Sequence, residues 1–172
     1  LAKGEKRYKK QETEVLKDYI SKNNLLFPVV AIENYVSEGS EQKVYLKDGR
    51  NVIKLNDAIF YESWEDYLYS LLLHNFFFPD TAYELLGFYL DNKGDVFAVV
   101  QQPFVRATEK TDLTEVKNFM EANGFINTRN NDYYNSSLGI ILEDLHDENV
   151  LTENGVLQFI DTVFYITEDF YN

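Results

Sequence analysis

Apolar residues recur along this chain at two spacings, one helical and one strand-like, and the switches between them predict its elements. Residues 5–22 are polar apart from Val15, Leu16, Tyr19 and Ile20, which form one narrow apolar stripe on a helix ended by Asn23-Asn24. Residues 29–36 read as a strand and Glu38-Gly39-Ser40-Glu41 as a turn. Gln42 to Leu46 reads as a second strand, with Val44 and Leu46 on one face. Lys47-Asp48-Gly49-Arg50 is a hairpin turn into a third strand, Asn51 to Leu55. Ser63-Trp64-Glu65-Asp66 has the form of a capping box: an N-cap hydroxyl with an acid three residues on. The helix it opens runs to about His74 with Trp64, Tyr67, Leu68, Leu71 and Leu72 on its apolar face, and Pro79 blocks any continuation.

Two further strands, Tyr83 to Leu90 and Asp95 to Gln101, flank the turn Asp91-Asn92-Lys93-Gly94, and Pro103 ends the second. Thr114 to Asn123 reads as a helix with Val116, Phe119 and Met120 inward and Gly124 as its left-handed stop. The Asn- and Asp-rich residues 126–135 read as a loop, Leu138 to Leu142 as an apolar segment and Asp144 to Glu148 as a charged loop. Val150-Leu151 and Val156 to Ile160 are short strands around Glu153-Asn154-Gly155. The expected class is α+β: five antiparallel strands interrupted by one helix, then a smaller second part. No internal repeat is present.

Composition narrows the chemistry. With 172 residues the prior is about one domain. Thirteen Phe and thirteen Tyr give it material for a core, which excludes a wholly disordered chain. The absence of Cys excludes disulfides, thiolate metal sites and Cys nucleophiles, and two His make a His-only metal cluster implausible. The net charge is −13 and unevenly distributed: residues 1–60 hold 11 basic and 9 acidic side chains, residues 61–172 hold 5 and 20. That acidic second part argues against a nucleic-acid partner. Runs such as Phe76-Phe77-Phe78 fall far short of a membrane span, and the opening residues carry no apolar leader-like run. A cytoplasmic protein is expected.

One ordered set of residues carries a chemistry. Ile141-Leu142-Glu143-Asp144-Leu145-His146-Asp147-Glu148-Asn149-Val150-Leu151 is followed by Gly155-Val156-Leu157-Gln158-Phe159-Ile160-Asp161. This resembles the protein-kinase-like superfamily, which uses a loop Asp, an Asn five residues on, and a metal-binding Asp after a short hairpin. Asp144, Asn149 and Asp161 stand in those positions. The Asp-Leu-His-x-x-Asn pattern is similar to that of aminoglycoside phosphotransferases. The chain as a whole is most similar to the short kinase-like domain of polyvalent proteins from phages and mobile elements.

The resemblance spans residues 36–165. It implies a kinase-like N-terminal lobe with a truncated C-terminal lobe: a helical extension over 1–28, the N-lobe over 29–102, and over 103–172 a hinge and minimal C-lobe with the catalytic and metal-binding loops. It further implies ATP and Mg²⁺ as cofactors. Lys54 would meet phosphate and Glu65 would hold Lys54. Gly39 and Ser40 would belong to a reduced phosphate-covering loop, and Val44, Val52, Gln102 and Phe104 would surround adenine. Asn149 and Asp161 would hold the metal, and Asp144 would take the proton of an acceptor hydroxyl on a protein or a small molecule.

Each residue has a plainer reading beside this one. Asp144 and Asn149 are ordinary loop types, Lys54 could snorkel at an edge, Glu65 could serve the helix dipole, and His74 and His146 read as structural. The pattern also departs from its relatives. Only Gly39 remains of a glycine-rich loop, Glu143 stands where an Arg or Gly is usual, and eleven residues follow Asp161. A catalytically inactive pseudokinase or adaptor that binds a protein partner is therefore the alternative, as is a partner chain or further domain that completes the C-lobe. Two-metal phosphatase or nuclease chemistry would explain the acids of 143–148 but not Lys54, Glu65 or the strand plan.

Overall fold

The computed structural model describes residues 3–28, 35–38 and 42–171. The chain divides into two compact units, Leu1–Tyr67 with Tyr83–Phe104, and Leu68–Ala82 with Val105–Asn172. The first unit contains α1 (Lys3–Lys22), β1 (Tyr35–Glu38), β2 (Gln42–Leu46), β3 (Asn51–Asn56), the first turn of α2 (Trp64–Phe77), β4 (Glu84–Leu90) and β5 (Val96–Pro103). The strands form one antiparallel sheet in the order β1-β2-β3-β5-β4. This is the five-stranded plan that the sequence predicts. The strand expected over 29–36 is seen only at Tyr35 and Val36, and β1 runs on through Glu38, where a turn was expected. Residues 29–34 lie outside the described residues.

Short-range polar chemistry makes the hairpins. The Asp48 carboxylate accepts from the N–H groups of Arg50 (2.7 Å) and Asn51 (2.8 Å), and Asp91 accepts from Lys93 (2.8 Å) and Asp95 (2.9 Å). These Asx turns draw both carboxyls below their ordinary range. β3 is central and is buried from Val52 to Asn56. On one face Ile53, Leu55 and Val99 are buried and pack with the partly buried Phe27, Tyr45, Leu86, Tyr89 and Phe97; burial of each of the first three contributes roughly 1.5–3 kcal/mol. The segment after α1 lies along β4, with Phe27 N–H on the Phe88 carbonyl (2.8 Å) and Phe88 N–H on the Leu25 carbonyl (2.9 Å). Gly87, at φ 146° in the β4 bulge, allows this approach, since a Cβ there would lie 2.5 Å from the Leu25 oxygen.

The second unit holds the rest of α2, a 3₁₀ turn at Pro79–Thr81, α3 (Leu113–Ala122) and six strands. β6 (Ile126–Arg129), β7 (Asp132–Asn135), β8 (Ile140–Glu143) and β11 (Val163–Ile166) form an antiparallel sheet in the order β11-β8-β7-β6. β9 (Val150–Glu153) and β10 (Val156–Phe159) form a separate hairpin. The core gathers Phe78, Val116, Met120, Phe125, Ile140, Leu142, Leu145, Val150, Phe159 and Phe164. Phe78 stacks on Phe159 with ring centroids 4.1 Å apart.

Four expectations are corrected here. Residues 126–135 are a β-hairpin and not a loop. Every residue of β6 is exposed, so no inward alternation marks it, and β7 buries only Tyr133 and Asn135. α3 begins at Leu113, because Asp112 is the N-cap and accepts from Thr114 N–H at 2.8 Å. Phe119 is 41% exposed and lies beside the Phe159 ring rather than inside the core. Val163–Ile166, beyond the last strand expected, pairs with β8.

His74 ties the end of α2 to this unit. Its ring is fully buried, with Nε2 3.0 Å from the Thr81 carbonyl and Nδ1 2.6 Å from the Thr162 hydroxyl. A carbonyl only accepts, so Nε2 carries the proton and Nδ1 accepts from Thr162. The Thr81 hydroxyl in turn bonds the Phe159 carbonyl. His74→Leu would strand buried polar groups on both sides, at a cost of about 2–4 kcal/mol. A fall in Tm of roughly 5–15 °C is expected by calorimetry, whereas Leu72→Ala, at an exposed position of the same helix, should change Tm by no more than about 2 °C.

Candidate active site

In the first unit the β2-β3-β5 ladder sets the register. Val44 lies opposite Lys54, Lys54 opposite Val100, and Val52 opposite Gln102. Directly opposed residues share a face of the sheet, so Val44, Val52, Lys54 and Gln102 stand on one face. Ile53 and Leu55 stand on the other, in the core. Lys54 is 3% exposed, an unusual position for a lysine that demands partners. Its ammonium donates to the Gln102 carboxamide oxygen at 2.7 Å and lies 5.5 Å from the centre of the Tyr83 ring. At the end of β5, Pro103 has no N–H, and Phe104 N–H donates to the Arg50 carbonyl at 2.7 Å. Glu65 is in the first turn of α2 with its side chain exposed. Gly39 and Ser40 lie outside the described residues.

In the second unit the β8–β9 loop gathers Asp144, His146 and Asn149. Leu145 is fully buried and anchors the loop, while Asp144 takes a left-handed backbone, φ 69°, that turns its side chain outward. The neighbouring hairpin braces this conformation: Asp144 N–H donates to the Asp132 carboxylate (3.2 Å) and Leu145 N–H to the Asn131 carbonyl (3.1 Å). The Asn149 amide nitrogen donates to both the Asp144 carbonyl (2.9 Å) and Oδ2 (3.0 Å). His146 Nδ1 accepts from Glu148 N–H at 3.2 Å, so its proton sits on Nε2, which faces Asp144 Oδ1 at 3.3 Å. Both carboxylate oxygens of Asp144 are thus held by donors.

Asp161 follows β10 and is half-buried. The residue before it donates its N–H to the Asn149 carbonyl (2.9 Å), and the residue after it is Thr162, held by His74. The loop Asn and the strand-end Asp are therefore linked through main chain, and α2 supports the second of them. Among the described residues no group of three or more His, Asp or Glu side chains is placed to hold a metal. The fit for a hard cation rests instead on Asn149. With its nitrogen committed to Asp144, its oxygen is the atom left to ligate, and oxygen is what Mg²⁺ takes.

A family model described as Serine/Threonine/Tyrosine Kinase found in polyvalent proteins matches residues 9–168. The chain belongs to this family. It is a kinase-like phosphotransferase domain of the polyvalent-protein type. No curated protein and no solved structure matches it. Among the described residues no helix is long and apolar enough to cross a membrane.

Sequence reasoning missed the braces of the Asp144 loop. Asn131 and Asp132 reach it only because β7 pairs with β8, and His74 reaches Thr162 across 88 residues; no local spacing signals either. The same crowding acts on Glu143. Burial, then the charges of Asp132 and Asp144, push its carboxyl above the ordinary value of 4.5. Above 4.5 the unfolded chain releases this proton before the folded chain does, so Glu143 lowers stability as pH rises through its folded value. Glu143→Gln is expected to raise Tm at pH 7, with the gain disappearing below pH 4.5, when thermal melts are compared across that range.

Proposed function

We propose that this kinase-like domain transfers the terminal phosphoryl group of Mg-ATP to a hydroxyl acceptor. The reading is carried by the commitment of the Asn149 nitrogen to Asp144, which orients a metal-suited oxygen and the carboxylate of a base within one loop. In the first unit, Lys54 would neutralise phosphate charge, and Val44 and Val52 would offer an apolar face to the base. Glu65 would hold Lys54, and residues 39–40 would cover the phosphates. Pro103 has no N–H and Phe104 N–H is already on Arg50, so adenine recognition near Gln102 and Phe104 would rely on carbonyls and packing. In the second unit, Asn149 and Asp161 would hold Mg²⁺, which when bound supplies charge neutralisation for the phosphates.

Asp144 would accept the acceptor's proton as its oxygen attacks the γ-phosphorus and the bond to the β-phosphate oxygen breaks, releasing ADP. His146 and Asn149 keep the carboxylate turned to that task. Orientation of this kind is a large part of catalysis, and reactant alignment supplies roughly 7–11 kcal/mol in well-placed systems.

Titration calorimetry tests this reading. Mg-ATP should bind the wild-type chain with a dissociation constant between micromolar and millimolar. Asp161→Ala should weaken binding at least tenfold, because its carboxylate joins protein to ion. Asp144→Ala should bind within about threefold of wild type, since that residue serves the acceptor; a factor of three is about 0.65 kcal/mol. No heat from wild type at millimolar Mg-ATP would favour the pseudokinase or adaptor alternative, and equal binding by wild type and Asp161→Ala would break the metal assignment.

A further inference from the structure

We propose that Glu12 of α1 is a positioning residue for Glu65, acting through the first turn of α2; the role rests on the kinase reading above. A helix leaves its first four N–H groups without partners inside itself. In α2 the Ser63 hydroxyl takes one of them, Asp66 N–H at 2.9 Å. The two before it go to a different helix. Glu12 Oε2 accepts from Trp64 N–H at 2.8 Å, and Oε1 accepts from Glu65 N–H at 3.0 Å. One carboxylate thus caps α2 from outside, and its negative charge lies where the helix dipole favours it.

The neighbours of Glu12 on the same face of α1 extend the contact. Thr13 Oγ1 accepts from the Trp64 indole N–H at 3.1 Å and donates to the Lys9 carbonyl at 2.8 Å. Lys9, three residues before Glu12, bonds the carbonyls of Ala58 and Tyr61, the latter at 2.7 Å. Ala58 holds a left-handed backbone, φ 56°, which a non-glycine residue adopts only when its surroundings impose it. Residues 9, 12 and 13 therefore fix the run from residue 58 to residue 65. Glu65 is the residue whose own N–H is held, so its side chain starts from a point that Glu12 sets. Nothing in the hydrophobic pattern of α1 reports this, because every contact is polar.

The tryptophan at position 64 is the single one in the chain, so its fluorescence reads the junction directly. Amide exchange at Trp64 and Glu65, Trp64 emission and Mg-ATP affinity should be measured for Glu12→Ala, for Thr13→Val and for Glu14→Ala as a control on the same helix. Glu12→Ala should exchange the Trp64 and Glu65 amides at least tenfold faster while those of Ile53 and Val99 keep their wild-type rates. It should weaken Mg-ATP binding several-fold, and Glu14→Ala should match wild type. In a Glu65→Gln background, Glu12→Ala should add no further loss of affinity, because both act through one side chain.

Unchanged exchange at Trp64 and Glu65 would overturn the proposal. So would faster exchange with wild-type affinity, or affinity losses that simply add. Should Glu12→Ala fail to fold, Glu12→Gln, which keeps one acceptor oxygen, decides the same points. A wild-type chain that binds no Mg-ATP defeats the kinase reading by itself, and the exchange measurements alone then decide whether Glu12 fixes the start of α2.

Discussion

The ends of α2 must find polar partners outside the helix, and much of the described structure follows from how they do so. At its start, the amides of Trp64 and Glu65 bond Glu12, and Asp66 bonds Ser63. Near its end, His74 is buried between Thr81 and Thr162. Orphaned N–H groups or a buried imidazole without partners would cost on the order of 1–3 kcal/mol each. Each end of the helix therefore stays with its own partners: Glu65 with α1 in the first unit, and His74 with the segment around Asp161 in the second.

The loop of Asp144 obeys a related constraint. Five acids crowd into residues 143–148 and 132, and such a cluster repels itself unless donors intervene. The donors come from the loop's own main chain, from the Asn149 amide and from His146 with its proton fixed on Nε2. Glu143 has no comparable relief and shows it in its raised carboxyl. The chain thus tolerates a local electrostatic cost beside the residue to which the kinase pattern gives its base, as functional sites often do.

Lys54 illustrates the same tension in the first unit. A strand buried along nearly its whole length carries one ammonium group, and the sheet supplies Gln102 and the Tyr83 ring to hold it. The expectation from the kinase resemblance concerned the phosphate that Lys54 would meet. The sheet adds that a β5 side chain on the same face is already its partner, so Gln102 and phosphate would share one cation.

Elements whose signals are local can be read from the chain alone. Period-two alternation, Asp-Gly and Asn-Lys-Gly turns and a Ser-x-x-Asp cap marked β2 to β5 and the start of α2 to within a few residues, because each depends on neighbours one to four positions away. The ordered set Lys54, Glu65, Asp144, Asn149 and Asp161 stood out only through a resemblance to kinases and not through geometry. The remaining features depend on packing, most of them across long separations. Packing made a hairpin of 126–135, where exposed β6 has no apolar face to announce it. It paired β11 with β8, set Asp132 under Asp144 and His74 against Thr162, and placed Glu12 on the amides of α2. The contacts of Asp132, His74 and Glu12 join residues 12 to 88 positions apart through polar atoms, and a hydrogen bond between distant residues leaves no periodic trace in the chain that makes it.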